Sequence, residues 1–329
     1  MDPIRRNILA TGAAAATPES IFQGHRSTSA EKEFRYGRSW LHKEGKMPAL
    51  ASTAKLLARG ILTSVALASL IAGAAAQQKA SPPDFSSNNA GWLTFHTDFS
   101  AVPGGTSPMH DDPVHPRVSN QEAARTGKQP TYFIADLANN TVLKPWVVER
   151  MKKDNTEVLA GKIGFTANSS CMPGGVPGFH LFGFQPLYFV QTPREVVLVY
   201  SSDEQVRHVY LDVPHSAHPK PSWYGESVGH YEGDTLVVDT IGMNDKTFVD
   251  AYRTPHTEKL HVVERFRMVD GGKAMQVDIT LDDPDAFNAP WSVMQRYDRV
   301  QRPMDEEICA ENNQHLFDYH IPVANKPDF

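Results

Sequence analysis

A run of short alternating segments from Trp223 to Val300 constrains the fold of this chain more than any other feature. Apolar and polar residues alternate along it, and the tight turns 232–234 (Glu-Gly-Asp) and 270–272 (Asp-Gly-Gly) separate the segments. Turns of this composition supply the positive φ angles that hairpin loops require. Two consecutive hairpins, with further strand-like segments upstream, predict an antiparallel meander rather than a βαβ architecture.

Eight strand-like segments follow one another after residue 185. They span 186–192, 195–202, 206–213, 225–232, 235–242, 260–269, 273–282 and 291–300. Closure of eight sequential antiparallel strands into an up-and-down barrel removes the sheet edges and leaves a lumen able to hold one small ligand. The sequence therefore predicts an all-β, lipocalin-like barrel, with a two-sheet sandwich as the alternative. The lipocalin likeness concerns the layout only and carries no function.

The amino-terminal 76 residues do not resemble a folded domain. Met47 begins a segment with Lys55 and Arg59, followed by an apolar run at 61–72 and three alanines at 74–76. This is the pattern of a secretory signal peptide, and the apolar run is too short to span a bilayer, which needs roughly 20 residues. We predict cleavage after residue 76 and a periplasmic or secreted protein.

The chain divides into five segments by composition. Residues 1–46 are interpreted as a mis-annotated or disordered leader, with an authentic long leader as the alternative, and 47–76 as the signal peptide. The other three are an irregular segment at 77–142, a helix and barrel domain at 143–313, and a tail at 314–329. The helix is predicted over 143–159, where Pro145 suits the first turn.

The net charge limits the classes of partner. Ten of the 32 Lys and Arg and five of the 38 Asp and Glu precede residue 77, which leaves a net charge of −11 after it. An acidic surface without basic clusters argues against nucleic acid and anionic membranes as partners. We expect a small-molecule ligand, and the oligomeric state is left open.

Two cysteines, Cys171 and Cys309, are present, both in the segment predicted to be exported. In an oxidising compartment two lone cysteines usually pair, which predicts a disulfide. Two buried thiols or a catalytic thiol are the alternatives. Neither cysteine belongs to a C-x-x-C metal or redox motif.

Strand parity places a carboxylate inside the predicted barrel. In 260–269, Glu264 shares a face with Leu260, Val262 and Phe266, whereas Arg265 lies on the opposite face. A carboxylate in an apolar lumen is costly unless it is paired or functional. We expect its pKa to rise, so that it could act as a general acid or base near neutral pH. The alternative is an ion pair with an arginine such as Arg207 or Arg296 that seals one barrel end.

Further polar candidates lie in the neighbouring strand and in two long connections. Asp239 interrupts an apolar strand and could bond to a turn or line the lumen. Asp250 and His256 could form a carboxylate–imidazole pair at a barrel mouth, or simply fix their loop.

A metal site is only weakly indicated. Asp212, His215 and His218 are spaced by three residues, but Pro214 and Pro219 forbid the helix that would bring them together. The sequence lacks the H-E-x-x-H, Walker and dinucleotide motifs. The G-x-S-x-G match at 225–229 lies in a predicted strand and forms no strand-to-helix elbow, so we expect none of the corresponding enzyme classes and no nucleotide cofactor.

Three stretches resemble a family of uncharacterised exported bacterial proteins: WYGESVGHYEGDTLVVDT at 223–240, TPHTEKLHVVERFR at 254–267 and EEICAENN at 306–313. That family carries a W-x-G-x-S-x-G-x-W-E-G-D-T-L-V-V-D-T core, a P-H-S…L-H-V-x-E-R-F segment and a C-x-P-x-G-x-P loop, which 171–177 matches loosely. The resemblance covers roughly 143–313 and implies no established activity. Tyr231 stands where the family has Trp, and Arg253 where it has Gly, which predicts an altered loop before His256.

The positions that this resemblance singles out are Arg207, Asp212, His215, Trp223, Gly225, Ser227, Gly229, Glu232, Asp234, Asp239, Asp250, His256, His261, Glu264 and Arg265. The candidate ligand-binding residues among them are Trp223, Ser227, His215 and His261.

Two functions remain open at this point. The first is a cofactor-independent lyase, isomerase or hydrolase, in which Glu264 or Asp239 acts as acid or base, His256 is held by Asp250, and Arg207 stabilises negative charge. The second is a non-catalytic barrel that binds or carries a small ligand. An open cavity touching Glu264, Asp239 and His256 would favour the enzyme. A lumen filled by Phe266, Met268 and Trp291 would leave only a structural or interaction role.

Overall fold

A computed structural model of the chain describes residues 81–86, 90–104, 108–181, 183, 185–201, 205–309 and 323–324. The predicted leader and signal peptide, and all of the predicted tail except Val323 and Ala324, lie outside the described residues. Among the helices that are described, none has the length and apolar character needed to cross a membrane.

The described strands, in chain order, are β1 (Ala90–Leu93), β2 (Ser100–Ala101), β3 (Ile163–Gly164), β4 (Pro186–Gln191), β5 (Glu195–Tyr200), β6 (Gln205–Leu211), β7 (Glu226–Glu232), β8 (Thr235–Ile241), β9 (His261–Val269), β10 (Ala274–Asp282), β11 (Trp291–Gln301) and β12 (Val323–Ala324). Nine of them form a closed barrel in the order β1-β4-β5-β6-β7-β8-β9-β10-β11, because β1 also pairs with β11. Strand β2 pairs with β11 outside this ring, and β3 pairs in parallel with β12.

The predicted fold class is confirmed, and the structure differs from the prediction in two details. All eight predicted strands are present with ends within two residues of those expected. A ninth strand, β1, comes from the segment predicted to be irregular and lies between the first and last of the eight. It is only four residues long, too short for its alternation to be recognised in a segment rich in turn-forming residues.

The second difference is that β6 and β7 pair in parallel, with Val209 opposite Ser227 and Leu211 opposite Gly229. The connection at 212–225 returns the chain to the end of the barrel where β6 began. Parallel neighbours require a crossover of a dozen or more residues, and this connection is long enough to provide it. The meander is therefore interrupted once.

The tight turns adopt the backbone that their sequence predicted. Gly233 has φ of 62°, and Gly271 and Gly272 have φ of 65° and 82°, as short hairpin turns demand. Strand parity is also confirmed, because Val262 and Phe266 of β9 and Ile279 of β10 are fully buried in the barrel. The lumen is consequently packed with side chains.

The described residues include two α-helices between β1 and β4: α1 (Asn120–Thr126) and α2 (Pro145–Leu159). Helix α2 is the predicted one, and its buried face includes Val147 and Met151. Helix α1 lies in the segment predicted to be irregular. Ser119 caps its amino terminus by accepting a hydrogen bond from the backbone N–H of Glu122.

The long loops gather at one end of the barrel. Strand β4 begins, β8 ends and β9 begins at the same end, as their pairings require. The 3-10 helix Gly178–Leu181, which leads into β4, lies at this end together with the connection at 242–260. We call it the loop end.

A disulfide joins Cys171 to Cys309, as predicted. In an up-and-down barrel of the eight predicted strands the first and last would be neighbours, but β4 and β11 are not in direct contact through hydrogen bonds. Both pair with β1, which lies between them. The flanking segments are still brought together, since a single short strand separates them.

Candidate functional site

Glu264 points into the barrel, as predicted, and forms an ion pair with Arg207. Their side chains are 0% and 3% exposed. Arg207 donates from Nη1 to Oε1 of Glu264 over 2.9 Å and from Nη2 to Oε2, so the pairing is bidentate. The ion pair that the sequence left as an alternative is thus present, with Arg207 rather than Arg296 as the partner.

His180 is the third member of this buried cluster. Its Nε2 lies 2.7 Å from Oε1 of Glu264, and its Nδ1 lies 2.6 Å from the hydroxyl of Tyr297. Burial lowers the pKa of His180, and burial raises the pKa of Tyr297 well above its usual value. A neutral imidazole therefore donates from Nε2 to the carboxylate and accepts at Nδ1 from the tyrosine hydroxyl.

The remaining groups around the ion pair are also partnered. Arg207 donates from Nε to Ser227 over 3.1 Å and from Nη2 to Thr240 over 2.8 Å. Gln295 donates to the backbone carbonyl of His180 over 3.0 Å. Each polar atom in this part of the lumen therefore faces a protein group, which is how buried charge is made tolerable.

The expected rise in the pKa of Glu264 is wrong. Burial alone raises this pKa, but the charge of Arg207 and the hydrogen bonds from His180 and Arg207 outweigh it and hold the pKa at about 2. The carboxyl is therefore ionised throughout the neutral range. Its geometry fits a structural ion pair better than a general acid or base.

Asp239 lies on the outer face of β8 rather than in the lumen, with its side chain 40% exposed. Its Oδ1 lies 3.0 Å from Nε2 of His215 and 2.8 Å from Nε2 of His261. The other ring nitrogen of His215 lies 3.1 Å from Glu226. Three of the predicted site residues are thus brought together, but on the outer wall, where they fasten the crossover at 212–225 to β7, β8 and β9.

Asp250 and His256 do not form the predicted pair. Asp250 accepts hydrogen bonds from the backbone N–H of Thr254 over 3.1 Å and from its hydroxyl over 2.7 Å. His256 contacts the hydroxyl of Thr247 and the backbone carbonyl of Thr257 instead. Each residue fixes a different part of the loop.

The other candidates are also placed by the structure. Trp223 is half-buried in the crossover, whereas Ser227 belongs to the lumen cluster. The weakly indicated triplet Asp212, His215 and His218 is not assembled, because His215 turns toward Asp239 and Glu226. Within the described part of the chain, no group of three His, Cys, Asp or Glu is arranged to hold a metal ion.

A cavity of about 230 Å³ lies at the loop end, outside the filled lumen. Its walls come from the segments at 132–133, 166–167 and 248–253, and from the 3-10 helix, of which Gly178 and Leu181 contribute. His180, in the same 3-10 helix, belongs to the lumen cluster. This helix is therefore the partition between the cavity and the ion pair.

Phe133, one of the aromatic rings that line the cavity, is held in place by two neighbouring side chains. The guanidinium carbon of Arg117 lies 3.7 Å from the ring centroid of Phe133. Tyr252 packs edge-on against the same ring at 5.3 Å and donates from its hydroxyl to Asp111 over 3.0 Å. Rings fixed in this way suit a preformed site.

Arg253 supplies the cationic group in the cavity wall, and it is 3% exposed. It has φ of 62°, a left-handed backbone that favours glycine, so the loop holds this residue in a strained conformation. Asp250 also lies in the wall. Burial raises its pKa, and its hydrogen bonds from Thr254 oppose that rise.

Asp154 of α2 lies in the electrostatic field of Arg253 and is 3% exposed. Neither of its carboxyl oxygens has a hydrogen-bond partner in the described structure. Burial raises its pKa to about 6, against the opposing charges of Arg150 and Arg253. It is thus a buried acid that titrates near neutrality.

Sequence reasoning missed His180, Tyr297, Arg253 and Asp154. His180 follows a Pro- and Gly-rich loop without periodicity, so no parity rule applies to it. Tyr297 was accessible in principle, since it shares a face with Val293 and Gln295 in β11, all of which are buried. Asp154 occupies the buried stripe of α2 three residues after Met151, and a carboxylate in that stripe was the available signal.

No protein-family model, curated protein or solved structure matches this chain. The resemblance of its motifs to exported bacterial proteins therefore stays a prediction, and the site must be interpreted from its own geometry.

Proposed function

We propose that this protein binds a small molecule in the cavity at the loop end, and that the barrel acts as its rigid support. The observation that carries the proposal is a cavity lined by aromatic rings, of which Phe133 is held by Arg117 and Tyr252, and by the buried cation Arg253. Concave, mostly apolar sites with a few oriented polar groups are the usual form of small-molecule sites.

The packing of the lumen supports a site outside it. Phe266, Val262 and Ile279 are fully buried there. The side chains of the Glu264–Arg207 ion pair are buried there as well. A ligand in the lumen would have to displace side chains packed at crystal-like density. The loop end offers open volume without that cost.

An acid–base enzyme is the second candidate, and one observation favours it. Asp250 lies in the cavity wall beside Arg253, and burial raises its pKa. A position in a cleft and a raised pKa are both typical of a catalytic carboxyl. Both of its oxygens, however, accept hydrogen bonds from Thr254, which suits a loop anchor. Ligand binding is therefore preferred.

Screening a fragment library by saturation-transfer NMR tests the proposal. Ala251→Leu fills part of the cavity, whereas Ala138→Leu adds the same side chain at an exposed loop position. We expect fragments that bind the wild type and Ala138→Leu and that lose binding to Ala251→Leu. Fragments that bind all three proteins equally would contradict the site.

We also propose that the protein is exported after cleavage behind residue 76. The disulfide between Cys171 and Cys309 supports this, because structural disulfides persist in oxidising compartments. Amino-terminal sequencing of the periplasmic fraction should begin at Gln77. An intact chain in the cytoplasm would contradict export. A small molecule, rather than nucleic acid or a membrane, stays the proposed partner.

A further inference from the structure

Arg253 is a buried cation that uses only part of its hydrogen-bonding capacity within the described structure. Of its described contacts, the bonds from Nη2 to the carbonyl of Phe133 and to Oδ1 of Asn155 are long, at 3.3 and 3.4 Å. Its Nε is buried without a partner. A guanidinium carries five N–H groups, so most of its donors are uncommitted.

The neighbouring carboxylates do not pair with Arg253 either. Asp250 directs its oxygens to Thr254, and no ion pair is formed between Arg253 and Asp154 in the described structure. Both influence Arg253 only through their charges. Burying a charge without a bonded partner is costly, and the strained backbone of Arg253 adds to that cost.

Building on the proposed binding function, we infer that the cavity takes a small aromatic or aliphatic acid whose carboxylate pairs with Arg253. A planar carboxylate matches the fork of a guanidinium and can engage two of its N–H groups. The apolar body of the ligand would lie against Phe133 and Phe248. The ligand carboxylate would be the hydrogen-bonded counter-charge that Arg253 lacks in the described structure.

The volume of the cavity sets the size of the acid. About 230 Å³ corresponds to roughly eight water molecules at about 30 Å³ each, which is close to one ring with a carboxylate. Benzoate is therefore a suitable probe.

Three probes of one shape separate the possible contacts. Benzoate carries the carboxylate, benzamide is its neutral analogue, and benzylamine carries a positive charge. We expect benzoate to bind the wild-type protein at least about tenfold more tightly than benzamide, as measured by isothermal titration calorimetry, because a charge-assisted pair is then formed in a desolvated site. We expect benzylamine to bind more weakly than either.

Two variants test whether Arg253 causes the preference for benzoate over benzamide, and a third variant is the control. Arg253→Gln removes the charge, and Arg253→Gly removes it while relaxing the positive φ, so at least the glycine variant should stay folded. Arg265→Gln removes an exposed cation on the outer wall, where Arg265 pairs with Glu232. The two Arg253 variants should bind benzoate and benzamide equally, whereas Arg265→Gln should keep the wild-type preference.

The remaining outcomes overturn the inference in distinguishable ways. Equal affinity of the wild type for benzoate and benzamide, or undiminished benzoate binding by Arg253→Gly, would remove the carboxylate pairing but leave a binding cavity. Tightest binding of benzylamine would assign recognition to Asp250 instead. Failure of all three probes to bind at millimolar concentration, together with failure of the fragment screen, would reject the binding function itself.

Discussion

Replacing Glu264 by Gln should destabilise the protein strongly, because the change leaves Arg207 buried without its counter-charge. The carboxyl accepts from His180 and twice from Arg207, whereas an amide has one acceptor oxygen and would direct an NH2 group at one of these donors. Breaking a buried pair from one side typically costs about 3–5 kcal/mol.

The pKa of Glu264 gives an independent magnitude. A folded-state pKa of about 2 against an ordinary 4.5 corresponds to a stabilisation by the ionised form of roughly 3 kcal/mol, at 1.36 kcal/mol per unit. Because the folded pKa is depressed, this stabilisation is present above pH 4.5 and is lost as the pH falls toward 2.

Urea unfolding of the wild type and Glu264→Gln at several pH values measures the effect. The variant should lose about 3–5 kcal/mol at pH 7, and the difference should shrink as the pH falls below 4.5. Glu232→Gln is the matched control, because Glu232 pairs with Arg265 at an exposed site where solvent screens the charges and such pairs contribute little. A loss at Glu264 no larger than that of the control would refute the structural role of the ion pair.

Two further perturbations test other parts of the structure. Asp154→Asn should raise the free energy of unfolding at pH 8 by about 1–3 kcal/mol, because burial raises the folded pKa to about 6 and so penalises the ionised form above that pH. The gain should vanish near pH 4 in the same urea titrations, and a variant less stable than the wild type at pH 8 would contradict it. Reduction of the Cys171–Cys309 disulfide, which spans a sequence separation of 138 residues, should cost up to about 5 kcal/mol. Thiol titration of the denatured, unreduced protein should find no free thiol, and two free thiols would refute the bond.

The barrel was predictable because the patterns that specify its strands and turns lie in short stretches of sequence. Alternation in 260–269 and 273–282 fixes which face is buried, and the glycines at 233 and 271–272 fix the turns between strands. The same parity placed Glu264 in the lumen. The parallel pairing of β6 and β7 was not predictable in this way, because a long connection permits either direction and alternation is the same in both.

The partners of the polar residues could not be predicted from the sequence. Asp250 and His256 are close in the chain and were expected to pair, yet local threonines satisfy both more directly. His180 reaches Glu264 from a loop 84 residues earlier, a contact that only barrel closure creates. Arg253 gains its role from burial at a positive φ, which no local pattern of side chains reports.

Methyl chemical-shift mapping during a benzoate titration tests the central claim most directly, because it locates the ligand in the molecule. The claim is that ligands bind at the loop end and that the lumen is closed by its own packing and ion pair. The account predicts shifts at Ala167, Leu181 and Ala251, which line the cavity, with Val262 and Ile279 in the lumen unchanged. Shifts at Val262 and Ile279 with none in the cavity wall would show that the lumen opens, and would contradict the account.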